Sequence, residues 1–204
     1  MLEAHDLAAR RGDAALFAGL DFSLEPGAAL FVRGPNGSGK TTLLRILAGL
    51  AQAVAGQVRW RGRPLGAFDH AVRAGALFIG HAPALKDELT TEENLASLTS
   101  LHGPAVSRST LLEALDAWSL TRQRTLPARV LSQGQRRRTS LARLQLVLRP
   151  LWLLDEPATA LDDAGTATLG GALAAHLAAG GSAVIATHQD LPPVGGVSRS
   201  LRLE

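Results

Sequence analysis

Residues 34–41 read G-P-N-G-S-G-K-T, a run of glycines that ends in a lysine and a threonine. In this pattern the glycines let the backbone wrap closely around phosphate oxygens and direct N–H groups at them. Lys40 adds a positive charge, and the hydroxyl of Thr41 adds a ligand for Mg²⁺. The pattern predicts a nucleoside triphosphate site formed by nine residues: Gly34, Pro35, Asn36, Gly37, Ser38, Gly39, Lys40, Thr41 and Thr42. The alternative is a glycine-rich turn that carries a surface lysine.

The elements on either side of this loop fit a phosphate site. Residues 29–32 form a short apolar run typical of a strand, and Leu43, Leu44, Ile46 and Leu47 follow with helical spacing. The loop thus lies between a strand and a helix, where the helix N-terminus adds its dipole to the attraction for phosphate. This context makes nucleotide binding the preferred interpretation.

Two adjacent carboxylates, Asp155 and Glu156, follow the apolar run 151–154. Such a run is typical of a buried parallel strand, and open parallel sheets bind ligands at the carboxyl ends of their strands. We expect Asp155 to orient Mg²⁺ and its waters, and Glu156 to polarise the water that attacks the γ-phosphate. The alternative is an acidic pair at a strand end with no chemical role. Hydrolysis follows as a hypothesis.

A second helix start is predicted at residues 131–135, which read L-S-Q-G-Q. A hydroxyl cap at Ser132 and a glycine at Gly134 make this N-terminus another potential phosphate site. The motif resembles the L-S-G-G-Q signature of the ATP-binding cassette (ABC) ATPases. The resemblance implies ATP and Mg²⁺ as cofactors and a head-to-tail homodimer. In that dimer the γ-phosphate held by one subunit would meet the other subunit's signature residues: Ser132, Gln133, Gly134 and Gln135.

Two further marks of this family follow in order. Residues 159–162 resemble the D-loop, with its aspartate at Asp162, and Thr187 with His188 resembles the switch histidine. An imidazole can hydrogen-bond both the γ-phosphate and the attacking water, so the resemblance assigns His188 a catalytic role beside Glu156. Taken alone, this histidine would be interpreted as a surface loop residue.

Three positions depart from the family pattern. Ala82 stands where cassettes usually carry a glutamine, so this side chain cannot offer an amide to Mg²⁺ or water. Gln133 replaces the first glycine of the signature and adds a side chain where backbone should approach phosphate. Arg11 stands near the usual adenine-stacking aromatic, and its guanidinium plane can also stack on a base.

Within the ABC ATPases the chain resembles the CcmA family, the ATP-binding subunits of the haem export complex of cytochrome c biogenesis. The likeness runs from near Leu2 to Glu204 and includes Gly80, His81, Pro83, Lys86, Glu88–Thr90, Glu93–Leu95, Arg137, Arg138 and Leu141–Leu144. It implies a membrane permease of the CcmB type, docked on a helical lobe and the loop 81–88. Haem would not contact this chain, which would lie on the cytoplasmic face of the bacterial inner membrane.

Two alternatives to haem export stay open. The chain could be the ATPase of another ABC exporter that moves a lipid, drug or peptide. It could also be a soluble cassette ATPase that acts on nucleic acid or the ribosome. A formal net charge of only +3 does not favour a nucleic-acid partner, and residues 41–130 leave room only for a short helical insertion.

The length of 204 residues favours one domain, since about 150 residues per domain is usual. The expected fold is α/β: a P-loop NTPase core with a mostly parallel sheet, an N-terminal antiparallel β part and an inserted helical lobe. We place the core at residues 1–85 and 151–204 and the lobe at 86–150. The absence of cysteine excludes disulfides, thiolate metal sites and a cysteine nucleophile. The acidic N-terminus does not resemble an export signal.

Other segments have plain structural interpretations. Residues 164–189 contain no Asp, Glu, Lys or Arg over the length of a membrane span, but their alanines and paired glycines favour a helix, a turn and a strand. A helix is predicted from Ser132 to Leu148, stopped by Pro150. The three arginines 136–138 point around a helix axis and favour a solvated face. The remaining side chains assigned to packing or structure are His5, His70, His102, His176, Trp60, Trp118 and Trp152.

Overall fold

The computed structural model describes residues 1–67, 69, 74–189, 191 and 194–204. The strands are β1 (Leu2–Arg11), β2 (Ala14–Leu24), β3 (Ala28–Arg33), β4 (Ala55–Trp60), β5 (Arg63–Leu65), β6 (Ala76–Ile79), β7 (Leu151–Asp155), β8 (Ser182–Ala186) and β9 (Val197–Arg202). The helices are α1 (Lys40–Leu47), α2 (Thr91–Ser100), α3 (Arg108–Ala117), α4 (Gln133–Leu141), α5 (Arg143–Leu146) and α6 (Asp163–Ala178), with short 3₁₀ turns at Thr121–Gln123 and Ala128–Val130.

A five-stranded parallel sheet forms the centre, in the order β6-β7-β8-β3-β9. Strands β7 and β8 are buried along their whole length, as expected for a sheet covered on both faces. One face packs on α1, where Leu43 and Leu47 are fully buried. The other face packs on α6 through Leu169 and Leu173. The predicted parallel α/β core is confirmed.

A separate four-stranded antiparallel sheet, β2-β1-β4-β5, covers the α1 side of the core. Strand β1 is irregular at Asp6, whose φ of 47° interrupts the pairing with β2 and β4. Gly56 approaches this point so closely that a Cβ there would lie 2.2 Å from the carbonyl oxygen of Asp6. The predicted antiparallel β part is confirmed. Strand β1 itself was not predicted.

Helices α2 to α5 lie between β6 and β7 in the chain, as the predicted helical insertion requires. Helix α2 begins with a capping box: Thr90 Oγ1 accepts from the N–H of Glu93, and Glu93 Oε2 accepts from the N–H of Thr90. Leu115 of α3 and Trp118, which caps its carboxyl end, are buried. The boundaries proposed for the lobe stay a prediction.

The helix predicted from Ser132 to Leu148 is interrupted at Ala142 and ends at Leu146. Helix α4 ends at Leu141, the short α5 follows, and Val147 already has an extended backbone, with φ −106° and ψ 93°. Leu148 is 86% exposed rather than part of an apolar face. Pro150 explains the early end, because it lacks an N–H and disfavours helical geometry in the residue before it.

The uncharged segment 164–189 forms α6, a turn and β8, as predicted. Among the described residues no helix is long and apolar enough to cross a membrane.

His176 stacks flat on Trp152, with ring centroids 3.8 Å apart, and burial lowers its pKa. A Cβ on Gly181 would lie 2.2 Å from the same imidazole, so this histidine is a packing residue. His70 lies outside the described residues.

Candidate nucleotide-binding site

The glycine-rich loop takes a backbone path that only glycine allows. Gly34, Gly37 and Gly39 have φ values of 150°, 89° and 96°. A Cβ on Gly34 would lie 2.3 Å from the carbonyl oxygen of Leu203, and one on Gly39 would lie 3.0 Å from the ring of Phe17. The loop is thus held between β3 and α1 with its backbone tightly packed on the protein side.

Lys40 points into its own loop. Its Nζ donates to the carbonyl oxygens of Gly34, at 2.7 Å, and Pro35, at 3.0 Å, and the residue is only 7% exposed. Helix α1 has no side-chain cap, because its N-cap residue is Gly39. The hydroxyl of Ser38 is buried and has no hydrogen-bond partner among the described residues. Unpaired donors and a buried cation are the features that an anionic ligand satisfies.

Thr41 and Asp155 meet at the start of α1. The hydroxyl of Thr41 donates to Oδ2 of Asp155 at 2.8 Å, although 114 residues separate the two. Asp155 ends β7 and is 1% exposed. A hydroxyl and a carboxylate in contact fit a shared cation. Among the described residues no group of three or more acidic or histidine side chains could hold a metal alone.

Glu156 and His188 form the second pair. Nδ1 of His188 lies 2.9 Å from Oε2 of Glu156, and the N–H of His188 donates to the same oxygen at 3.4 Å. The backbone N–H of Glu156 donates to the carbonyl of Ala186 at 2.8 Å, which fixes the residue against the end of β8. Glu156 has a φ of 48°, a left-handed conformation uncommon outside glycine.

One cavity of 440 Å³ collects these groups. Of the predicted site residues, ten line it: Arg11, Asn36, Gly37, Gly39, Lys40, Thr41, Thr42, Asp155, Glu156 and His188. Leu16, His81 and Thr159 also line it, and the sequence reasoning assigned them no contact there. The hydroxyl of Thr159 is a further buried group without a partner among the described residues. His81 immediately precedes Ala82, so it places an imidazole near the position where an amide is missing.

The signature residues lie apart from this cavity. Ser132 caps α4 by accepting from the N–H of Gln135 at 3.2 Å, and Oε1 of Gln135 accepts from the N–H of Ser132 at 2.9 Å. Ser132 and Gln133 are exposed. A Cβ on Gly134 would lie 2.7 Å from the carbonyl oxygen of Ala160. Within one chain, the predicted second phosphate site does not meet the first.

Asp162 also lies outside the cavity and begins α6. Its Oδ1 accepts from the N–H of Gly165 at 2.9 Å, and Nη2 of Arg138 lies 2.9 Å from its Oδ2. The hydrogen bond from Gly165 is the main reason that the pKa of Asp162 lies below its ordinary value, and Arg138 adds to it.

The solvated face predicted for residues 136–138 is wrong for Arg137, which is 3% exposed. Burial lowers the pKa of Arg137 to about 10, while the carboxylates of Asp155 and Glu156 favour its charged form. Its partners are backbone carbonyls that are distant along the chain, and the sequence pattern of three arginines gives no sign of them. Arg137 is the residue of this region that sequence reasoning missed.

Comparison with known proteins supports the same interpretation. The sequence pattern of the ABC transporter family matches residues 17–159. The cytochrome c biogenesis ATP-binding export protein CcmA of Aromatoleum aromaticum is 52% identical over 193 residues, covering 94% of this chain and 90% of that protein. The chain belongs to the CcmA family of ABC transporter ATPases. The CcmA proteins of Pseudomonas putida and Dechloromonas aromatica are 51% and 45% identical and cover 93% and 100% of this chain.

Solved structures show the same fold. A putative ABC transporter ATP-binding protein from Pyrococcus furiosus superposes with a TM-score of 0.83 at 25% identity, over 99% of this chain and 96% of that one. An ATP-binding cassette solved as a dimer in a post-hydrolysis state, bound to ADP and Pi, gives a TM-score of 0.78 at 24% identity, over 93% and 88% of the two chains. The predicted family and fold class are confirmed.

Proposed function

We propose that this CcmA-family chain is the ATP-hydrolysing subunit of a haem exporter that serves cytochrome c biogenesis. One observation carries the hydrolytic role: the loop lysine, the threonine–aspartate pair and the glutamate–histidine pair face a single cavity. ATP binds there with its phosphates on the glycine-rich loop and the N-terminus of α1. Arg11, which lines the same cavity, stacks on the base.

Thr41 and Asp155 would hold Mg²⁺ between them when nucleotide is bound. When bound, the ion would neutralise negative charge on the phosphates. The hydroxyl oxygen of Thr41 and the carboxylate of Asp155 would be its protein ligands, and the hydroxyl proton of Thr41 can keep its hydrogen bond to Asp155. Lys40 gives up the carbonyls of Gly34 and Pro35 and donates to phosphate instead.

Glu156 orients and polarises the attacking water in line with the γ-phosphate. Its Oε2 accepts from the backbone N–H of His188 and lies 2.9 Å from Nδ1 of the same residue, and its backbone is fixed at the end of β8. The side chain of His188 is 57% exposed, so it can also reach a γ-phosphate in the cavity. Together the two residues place a carboxylate and an imidazole side by side at the position of the water.

A homodimer completes the site. The exposed start of α4, with Ser132 and Gln133, does not line the cavity of its own chain. In the proposed head-to-tail dimer, Ser132, Gly134 and Gln135 of one subunit contact the γ-phosphate held by the other. Binding of ATP closes the dimer, and hydrolysis at Glu156 reopens it.

An integral membrane permease of the CcmB type is the second partner, and haem is its cargo rather than a ligand of this chain. We place the complex on the cytoplasmic face of the bacterial inner membrane. Among the large apolar side chains that the structure describes, the most exposed are Leu101, directly after α2, and Leu148, shortly after α5, and both suit burial against another protein. A strain that lacks this chain and still makes c-type cytochromes normally would contradict the role in haem export. It would not contradict the proposal that the chain hydrolyses ATP.

The substitution Glu156→Gln tests the hydrolytic site. It keeps the shape of the side chain and removes the base, so hydrolysis should fall by about 100-fold or more while ATP binding persists. An ATP-bound dimer should accumulate and elute earlier in size-exclusion chromatography. The matched control is Glu113→Gln on the exposed side of α3. Normal hydrolysis by the Glu156 variant would exclude this residue as the base.

A further inference from the structure

The three consecutive arginines at the start of α4 contact three different segments. Nη1 of Arg136 lies 2.7 Å from Oδ1 of Asp87, in the loop that follows β6. Nη2 of Arg138 lies 2.9 Å from Oδ2 of Asp162, at the start of α6. Arg137 points between them into the protein. Successive helical residues are about 100° apart, so each arginine reaches a different neighbour of the same helix.

Every N–H group of the Arg137 guanidinium has a backbone acceptor. Nη2 donates to the carbonyls of Asp155 and Glu156, both at 2.7 Å. Nη1 donates to Gly80 at 2.8 Å and His81 at 3.3 Å, and Nε donates to Pro157 at 3.1 Å. These five contacts use all five donors of the side chain. No carboxylate oxygen is among these acceptors, so the arrangement is not an ordinary ion pair.

The five carbonyls belong to the carboxyl ends of two neighbouring strands. Gly80 and His81 follow β6, Asp155 ends β7, and Glu156 and Pro157 come next. Strands β6 and β7 pair in parallel, so their ends lie side by side. Arg137 therefore joins the segment that bears His81 to the segment that bears both acidic residues of the site.

The contact with Glu156 occurs where the backbone is strained. Glu156 has a φ of 48°, which a residue with a Cβ keeps only when its surroundings hold it there. Three hydrogen bonds do so: its N–H donates to Ala186, and its carbonyl accepts from Arg137 at 2.7 Å and from the N–H of Thr159 at 3.2 Å. Of the two bonds to the carbonyl, the shorter one comes from α4. Without Arg137 the carbonyl would keep only the longer bond from Thr159, so the peptide could turn and move the carboxylate away from His188.

We propose that Arg137 is the positioning residue of the Glu156 carboxylate, and that it couples the start of α4 to the hydrolytic site through five backbone carbonyls. This inference rests on the proposed role of Glu156 as the base. Because Arg137 and the signature residue Ser132 lie on consecutive turns of one helix start, movement of α4 against a partner's nucleotide would shift the Glu156 backbone. Arg137 itself does not contact the nucleotide.

The substitution Arg137→Lys tests the proposal. Lysine keeps the positive charge but offers three donors from one point, so it cannot span carbonyls on two strands. We expect kcat for ATP hydrolysis by the full-length chain to fall by about 10- to 100-fold, because a small displacement of a catalytic group costs that much. The dissociation constant for ATP, measured by calorimetry, should change by less than about threefold, since the phosphate-binding loop is untouched.

A double-mutant cycle with Glu156→Gln separates positioning from general stability. If Arg137 acts through the Glu156 carboxylate, adding Arg137→Lys to the Glu156→Gln chain should lower its residual hydrolysis by less than about twofold. Equal losses in both backgrounds would overturn the proposal. If Glu156→Gln alone hydrolyses ATP normally, the proposed function fails instead, which keeps the two failures distinct.

Arg143→Lys is the matched control. Arg143 is also buried, and burial lowers its pKa to about 10, but among the described residues its hydrogen bonds go to Ser140, three residues earlier at the end of α4. We expect it to lower the melting temperature and leave kcat of the folded protein within about twofold. If both lysine variants lose hydrolysis in proportion to melting temperature, Arg137 is only structural and the proposal is wrong.

Discussion

The N-termini of α1 and α4 have different local hydrogen bonding. Helix α1 begins after Gly39 with no side-chain cap, and the buried hydroxyl of Ser38 has no partner among the described residues. Helix α4 begins at Ser132 with a complete capping box formed with Gln135. The α1 start contributes to the cavity, whereas the α4 start is exposed and separate from it. One start is arranged to receive phosphate within a single chain, and the other would receive it only in the proposed dimer.

The substitution Lys40→Met tests the α1 side and has the largest expected effect on binding. It removes a charge-assisted hydrogen bond to phosphate, worth about 1.5–3 kcal/mol, so the dissociation constant for ATP should rise by about 10- to 100-fold. Calorimetric titration measures it. The chain has one other lysine, Lys86, which is exposed in the loop before α2, so Lys86→Met is the control. If the two variants bind ATP with equal affinity, Lys40 does not contribute to nucleotide binding.

The substitution Ser132→Ala tests the α4 side, and Thr90→Ala is its control because α2 begins with the same kind of capping box. Each change should lower the free energy of unfolding by about 1 kcal/mol. Only Ser132→Ala should also lower hydrolysis, by about 2- to 10-fold, because it alone removes a hydrogen bond to the partner's nucleotide. Denaturant titration and steady-state rates check the two effects. If the Ser132→Ala and Thr90→Ala variants hydrolyse ATP at the same rate, Ser132 acts only as a helix cap.

The substitution Gln133→Gly has the smallest expected effect and sharpens the comparison. Removing the side chain opens the approach of phosphate to the α4 backbone, so hydrolysis at protein concentrations that favour the dimer should rise by about two- to threefold. Stability should fall by about 0.5–1 kcal/mol, since glycine is a poor helix former. A rate that falls together with stability would show that Gln133 does not obstruct the site. Gln135→Gly would be a poor control because Gln135 is part of the cap.

The sequence predicted the site best where the chemistry is local. The loop 34–41 has its glycines, lysine and threonine in one run, and the structure gives it the expected strand before and helix after. The pair Asp155 and Glu156 was also placed correctly at a strand end, because a buried parallel strand has a recognisable apolar run. What the sequence could not give is the pairing between these regions, such as the bond from Thr41 to Asp155.

Three features were predicted wrongly or not at all from the sequence, and each has a physical cause. The run of three arginines predicts a solvated Arg137. Its burial depends on backbone carbonyl acceptors that lie 18 to 57 residues away, and a backbone carbonyl leaves no pattern in the sequence. Strand β1 was missed because it has a left-handed residue at Asp6 and mixed polarity, so strict alternation is lost. The long helix from Ser132 was overextended because helical spacing of leucines continues to Leu148, whereas Pro150 ends the backbone pattern earlier.

The internal hydrogen bonds of Lys40 have a consequence for the speed of nucleotide exchange. Since Nζ donates to the carbonyls of Gly34 and Pro35, contacts within the chain itself can hold the path of the loop. A loop held in this way loses less conformational entropy when a nucleotide binds than a disordered loop would lose. Association should therefore proceed at a rate set by diffusion and by exchange of the lysine's partners. ADP release would then leave behind a loop ready for the next nucleotide without refolding.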